Sequence, residues 1–159
     1  MSSPGSSLGG RLSLRSLETW AVILAVCGIA VSIYLTAVHF QDSLLVCSGV
    51  SDCETVQNSK YAKLFGIPVA ILGLAMYIVA LVLAVVRLAR EDLTDRATVL
   101  LFVMLFGGFL FTAYLTYLEL FVIDAICQWC VFSAVITTAM LVLEGFLVRR
   151  VLEIEPTEE

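Results

Sequence analysis

The chain has 159 residues, 60% of them apolar and 14% charged, with 14 acidic and 9 basic side chains giving a formal net charge of −5; its mean hydropathy is +1.01. A soluble domain carries about 45–50% apolar and about 25% charged residues, so the composition excludes an ordinary soluble domain and describes a membrane protein. Four membrane-crossing helices of roughly 20 residues use about 80 residues, which leaves connections but no expected soluble domain, and without a basic block interleaved with aromatics nucleic-acid binding is not expected.

The first 18 residues are rich in Ser and Gly and carry Arg11 and Arg15 without a hydrophobic run, so a flexible tail is expected. From Trp20 to Phe40 the sequence is apolar and free of formal charge, and at a 1.5 Å rise per residue its length of about 31 Å crosses a bilayer. A cleaved signal peptide has an apolar core of about 7–15 residues before a small-residue cleavage site, so this longer stretch reads as a retained first helix. In the loop from Gln41 to Gly66, Ser51-Asp52-Cys53-Glu54 has the S-x-x-E form of a capping box. A short helix is expected to start there and run through Thr55 to Leu64, until Gly66 breaks it.

The second span is expected from Ile67 to Leu88, with Pro68 in the first turn, where a missing N–H costs nothing. A polar linker, Ala89 to Arg96, leads to a third span from Ala97 to Val122. Asp124, Ala125 and Ile126 leave room only for a tight turn before the fourth span, Cys127 to Val148, so the last two helices are antiparallel neighbours. The closing VLEIEPTEE is acidic and expected to be disordered. The expected organisation is therefore a membrane domain over 19–148 between tails at 1–18 and 149–159.

Seven of the nine basic residues fall on one side of these spans: Arg11, Arg15, Arg87, Arg90, Arg96, Arg149 and Arg150. Only Lys60 and Lys63 lie opposite. The positive-inside rule then makes both termini and the middle linker cytoplasmic, and gives the Gln41 to Gly66 loop and the Asp124 to Ile126 turn one shared outer face.

Four of the five cysteines gather on that face. Cys47 and Cys53 lie in the outer loop, and Cys127 and Cys130 open the fourth helix, while Cys27 sits alone in the inner half of the first. On a helix, Cys127 and Cys130 at i and i+3 share a side, and in the first turn a thiolate is favoured by free N–H groups and the helix dipole. Such a pair can be oxidised and reduced repeatedly, but C-x-x-C also serves zinc sites, and a cysteine can pack as a small hydrophobe. Cys53 would occupy a second helix N-terminal turn, with Cys47 six residues earlier in a Ser/Gly-containing stretch. A zinc site built from all four cysteines, or static disulfides in a non-enzymatic helical scaffold, are the alternatives, although C-x5-C with C-x2-C is not the usual zinc-ribbon spacing. Among the other polar residues, Glu119 and Asp124 read as hydrated groups near the outer interface, His39 as interfacial, Tyr77, Tyr114 and Tyr117 as packing or belt residues, and Glu144 as snorkelling to the inner surface.

On these residues the sequence resembles the vitamin K epoxide reductase family in its compact prokaryotic form. The resemblance runs through the first helix, the loop pattern Cys47…Cys53-x5-Ser59, the Phe65-Gly66-Ile67-Pro68 lead into the second helix with Gly73 and Tyr77 following, and Cys127-x2-Cys130. It implies an all-α, four-transmembrane-helix bundle in which the extracytoplasmic loop and a short half-helix cover a quinone pocket. Cys127 and Cys130 become the redox centre, with Cys130 nearest the quinone; Cys47 meets the external partner and Cys53 passes electrons to Cys127. Ser59 is expected to hydrogen-bond near the quinone and Phe65 to line its pocket, with menaquinone, ubiquinone or a vitamin K-type quinone as acceptor and no metal. The departures are Ala134, where vertebrate members carry tyrosine, and the lack of an asparagine matching their polar quinone contact near Ala62. Many prokaryotic relatives continue into a thioredoxin-like domain; here the expected partner is a separate extracytoplasmic thioredoxin-like protein. The implied function is a thiol:quinone oxidoreductase that supports disulfide formation outside the cytoplasm, placed in a bacterial inner membrane.

Overall fold

The computed structural model describes residues 5–41, 47, 52–90 and 94–154. In chain order it contains the long helix α1 (Gly5–Phe40), the short helix α2 (Cys53–Asn58), a two-stranded hairpin of β1 (Lys63–Leu64) and β2 (Ile67–Pro68), and the long helices α3 (Val69–Ala89), α4 (Thr94–Leu118) and α5 (Gln128–Ile154). The four long helices are each long and apolar enough to cross a membrane. Packing of α1 on α3 and α5, and of α4 on the same two, closes them into a bundle.

Why these helices close so tightly is visible in their side chains. The bundle interior uses Ala25, Ala80 and Ala84 with Tyr77, Leu101, Leu105 and Met140, all 0% exposed. Between lipid-solvated helices there is little hydrophobic gain from association, so small residues that let backbones approach are the productive interface. Gly28 is the extreme case, because a Cβ there would occupy the space of the Tyr77 ring. Larger apolar residues such as Ile33, Val82, Leu100, Phe106 and Phe146 point outward instead, as expected of helices that are hydrophobic all round.

The boundaries depart from expectation in several places. Helix α1 begins at Gly5, ahead of the stretch from Arg15 that is apolar enough to cross a membrane; Leu and Arg are good helix formers, and adding turns to an existing helix avoids the cost of nucleation. Helix α5 continues to Ile154, taking in the first four residues of the acidic tail expected to be disordered, while 155–159 lie outside the described residues. The loop helix is shorter than expected and is capped by Asp52, whose side chain accepts the Thr55 N–H at 3.3 Å; Asp is as effective a cap as Ser, and Ser51 lies outside the described residues. After Asn58 the chain forms a 3-10 turn at Lys60–Ala62 and then the hairpin, in which Lys63 pairs with Pro68 and Leu64 with Ile67.

The end of the bundle away from the four cysteines holds a buried ion pair. Arg87 on α3 and Glu144 on α5 are 3% and 0% exposed and meet at 2.7 Å, with Glu18 of α1 at 3.8 Å from the Arg87 Nε and the Thr98 hydroxyl accepting from the guanidinium at 3.5 Å. This corrects the expectation that Glu144 snorkels. Its side chain points into the bundle, where the guanidinium offsets the cost of burying the carboxylate.

Candidate active site

The site is assembled where α4 ends and α5 begins. After Leu118, α4 widens into a π turn over Glu119–Ile123, and Asp124 closes it with φ of 53°, its N–H reaching back to the Glu119 carbonyl. The same carbonyl accepts from Ala125 at 3.1 Å. A π turn inserts one residue per turn and is a recurrent feature of functional sites. Here it keeps Glu119 buried, at 5% exposure, with its carboxylate accepting the Cys127 N–H at 3.2 Å.

Cys127 takes the N-cap position of α5, since its carbonyl already accepts the Val131 N–H at 3.1 Å. Its thiol is held below the ordinary range chiefly by a hydrogen bond from the Cys130 thiol, with the N–H groups of Cys130 and Trp129 adding to the effect while burial opposes it. A sulfur at a helix N-terminus facing several donors is the arrangement that stabilises thiolate. Cys127 and Cys130 are both free thiols.

The loop brings the second pair to the same place. Cys47 and Cys53 form a disulfide, with Cα atoms 6.4 Å apart. Asp52, just ahead of Cys53, donates its N–H to the Ile126 carbonyl at 3.1 Å, so the start of α2 is tied to the residue before Cys127. As a result Cys53 and Cys127, 1% and 0% exposed, share one buried cluster with Leu35, Val56 and Ala125. Both cysteine pairs therefore converge at one end of the bundle.

Beneath them lies a cavity of about 160 Å³ whose lining includes Cys130, Glu119, Ser59 and Tyr61 together with apolar residues of α1, α3 and α4. Ser133 and Thr137 of α5 complete one wall, fixed by the Tyr77 hydroxyl, which lies 2.8 Å from the Thr137 hydroxyl and donates to the Ser133 carbonyl at 2.9 Å. Tyr77 is thus a packing residue, as expected. Among the described residues, no three His, Cys, Asp or Glu side chains are grouped to hold a metal ion.

The deciding comparison is with known families: the model of the vitamin K epoxide reductase family matches residues 19–144. The chain belongs to this family. Vitamin K epoxide reductases are quinone-dependent thiol oxidoreductases, and the matched stretch contains both cysteine pairs and every residue that lines the cavity.

Within this vitamin K epoxide reductase fold the expected site residues separate. Cys47, Cys53, Cys127 and Cys130 come together, and Ser59 joins the cavity lining, its hydroxyl donating to the Val56 carbonyl at 2.8 Å. Phe65 does not. It occupies the hairpin turn at φ 52° beside Gly66 at φ 85°, a two-residue connection that aims its side chain outward, and it is 97% exposed. Cys27 is exposed on α1, apart from the other four. Glu119 departs from the expected hydrated interface position: it is buried, with its carboxylate on the Cys127 N–H. The signal that could have placed it is helical spacing, since Thr112, Leu115 and Glu119 recur on one face and all line the cavity.

Proposed function

We propose that this protein is an integral membrane thiol:quinone oxidoreductase carrying electrons from an extracytoplasmic thioredoxin-like partner, through Cys47/Cys53 and then Cys127/Cys130, to a quinone. The observation that carries this reading is the burial of Cys53 against Cys127, with Cys130 on the far side opening into the cavity. Partner thiolate attacks the loop disulfide and leaves Cys53 as the outgoing thiolate. The partner's second thiol displaces Cys47 and leaves with the partner's own disulfide; Cys53 attacks Cys127 of the Cys127–Cys130 disulfide with Cys130 as the outgoing thiolate, and the freed Cys47 resolves the Cys53–Cys127 bond, so that the loop bond re-forms and the helix pair is left as two thiols. A closed loop disulfide with two free helix thiols corresponds to that stage.

The apolar wall of the cavity, including Leu35, Val69, Leu72, Met76 and Phe111, suits a quinone ring, and Ser59 and Tyr61 bring polar groups to it. Oriented by the seven arginines against two lysines, the cysteine end faces outward, where disulfides persist. The test is quinone-dependent oxidation of a dithiol by the purified protein in detergent. Turnover that disappears in Cys127→Ala and in Cys130→Ala is expected. Wild-type protein that never reduces a quinone, with both pairs unchanged in redox state, would instead make it a static scaffold.

A further inference from the structure

Oxidising two thiols with a quinone moves two electrons and two protons, and the protons need a route out of a buried site. Cys130 opens into the cavity, and the carboxylate that shares this lining is Glu119, which accepts the N–H of Cys127, the other member of the pair, at 3.2 Å. Glu119 lines the same cavity and is held there by a local departure from α-helical geometry. Among the described residues it makes no ion pair, so no cation fixes it as a permanent anion. A carboxylate buried without a cation is costly, and ionisable groups at membrane depth are retained chiefly where they serve function.

We propose that Glu119 is a catalytic residue of the quinone-reducing step, accepting the proton of Cys130 and delivering a proton to a ring oxygen in the cavity. This rests on the function proposed above. The Cys130 S–H bond breaks as a carboxyl O–H bond forms; the sulfur electron pair is then available to the quinone. The carboxyl O–H breaks as its proton passes to the ring oxygen, which returns Glu119 to carboxylate. Cys127 supplies the second proton and joins Cys130 as a disulfide, so the thiol pair loses two electrons and two protons and the quinone gains both. One oxygen of Glu119 also anchors the Cys127 N–H, so a single side chain aligns the pair and moves the proton.

The other ionisable groups at this end are differently engaged. Cys127 and Cys130 are the reacting thiols, Tyr61 lines the cavity wall, Asp52, Glu54 and Asp124 are exposed at the rim, and Lys60 lies over the Tyr61 ring at 5.0 Å. Cys53 is held in the loop disulfide and does not titrate.

Full-length protein with a soluble short-chain quinone and dithiothreitol tests this, read across about pH 5.5 to about 9, the range over which a carboxyl base is separated from thiol ionisation. Glu119→Gln keeps an oxygen for the Cys127 N–H but cannot take a proton. Near neutral pH its kcat is expected to fall about 100-fold, the usual scale of a lost general base, with KM for quinone little changed. The deficit shrinks towards alkaline pH, where thiols ionise unaided, and Glu119→Asp recovers part of the rate. An infrared difference spectrum between thiol and disulfide protein, which requires no quinone, is expected to contain a shifted carboxylate band that Glu119→Gln lacks, because Glu119 is ionised in both states but faces a thiol pair in one and a disulfide in the other. Persistence of the Cys47–Cys53 bond in peptide maps of the variant reports its fold. If wild-type protein reduces quinone and Glu119→Gln matches it in rate and pH profile, or if no carboxylate band shifts between the thiol and disulfide states, Glu119 is not the proton carrier. A wild-type protein inert towards quinone would overturn the proposed function itself.

Discussion

At the scale of single residues, the two cysteines of the helix pair are chemically unequal. Cys127 caps α5 and faces N–H donors, whereas Cys130 lies one turn on and opens into the cavity. In protein lacking the loop pair through Cys47→Ala and Cys53→Ala, alkylation of Cys127 is expected to reach half its maximal rate below the ordinary thiol midpoint. Adding Cys130→Ala removes the main donor to the Cys127 sulfur, so that midpoint moves to higher pH; a midpoint that stays in place would mean the hydrogen bond contributes nothing. With the loop pair intact, Cys130→Ala is expected to accumulate a Cys53–Cys127 disulfide, because Cys130 is no longer present to attack Cys127 and reverse it. Non-reducing peptide mapping identifies the bond. Finding Cys127 joined to Cys47 would exchange the roles given to the two loop cysteines.

Among the elements, the long helices were legible from hydropathy alone, because a bilayer demands a run of about 20 apolar residues and offers no other way to satisfy the backbone. The cysteine positions were legible for the same reason, since the spans fixed which loops share a face. What could not be read was local backbone geometry. The S-x-x-E pattern named the right turn of chain and the wrong cap, since Asp52 could serve as well as Ser51. Nearness to the helix end made Glu119 look interfacial, whereas its helical spacing from Thr112 and Leu115 puts it on the cavity face; the outward aim of Phe65 depends on a hairpin of two-residue strands. Contact between α1 and α3 provides a test at this scale. Gly28→Ala drives a methyl group into the Tyr77 ring, and overpacking of that kind costs about 1–3 kcal/mol. A lowered thermal midpoint in detergent is expected, and an unchanged one would show that the two helices separate easily.

For the molecule as a whole, one end of the bundle is devoted to sulfur chemistry and the other is held by charge. Glu144→Ala strands Arg87 at 3% exposure, and removing one member of a buried pair costs about 3–5 kcal/mol. Replacing both, as in Arg87→Met with Glu144→Leu, is expected to recover most of that stability, which unfolding in detergent measures; failure to recover would give the pair a role beyond neutralisation. The orientation across the membrane is checked with Glu54→Cys and Asp95→Cys, each in an otherwise cysteine-free chain. Both positions are exposed and neither changes the arginine distribution. An impermeant thiol reagent added to intact cells is expected to label the first and not the second; the reverse pattern means the bundle is inserted upside down. The ion pair also bears on biosynthesis. Arg87 is made with α3, but Glu144 arrives only with α5, two long helices later in the chain. Until then the nearest carboxylate is Glu18, at 3.8 Å in the finished bundle. A nascent chain halted before α5 therefore carries a guanidinium at membrane depth with no full neutralising partner. Such a half-made protein is expected to be less stable in the membrane than the finished bundle, by the cost of one uncompensated buried charge.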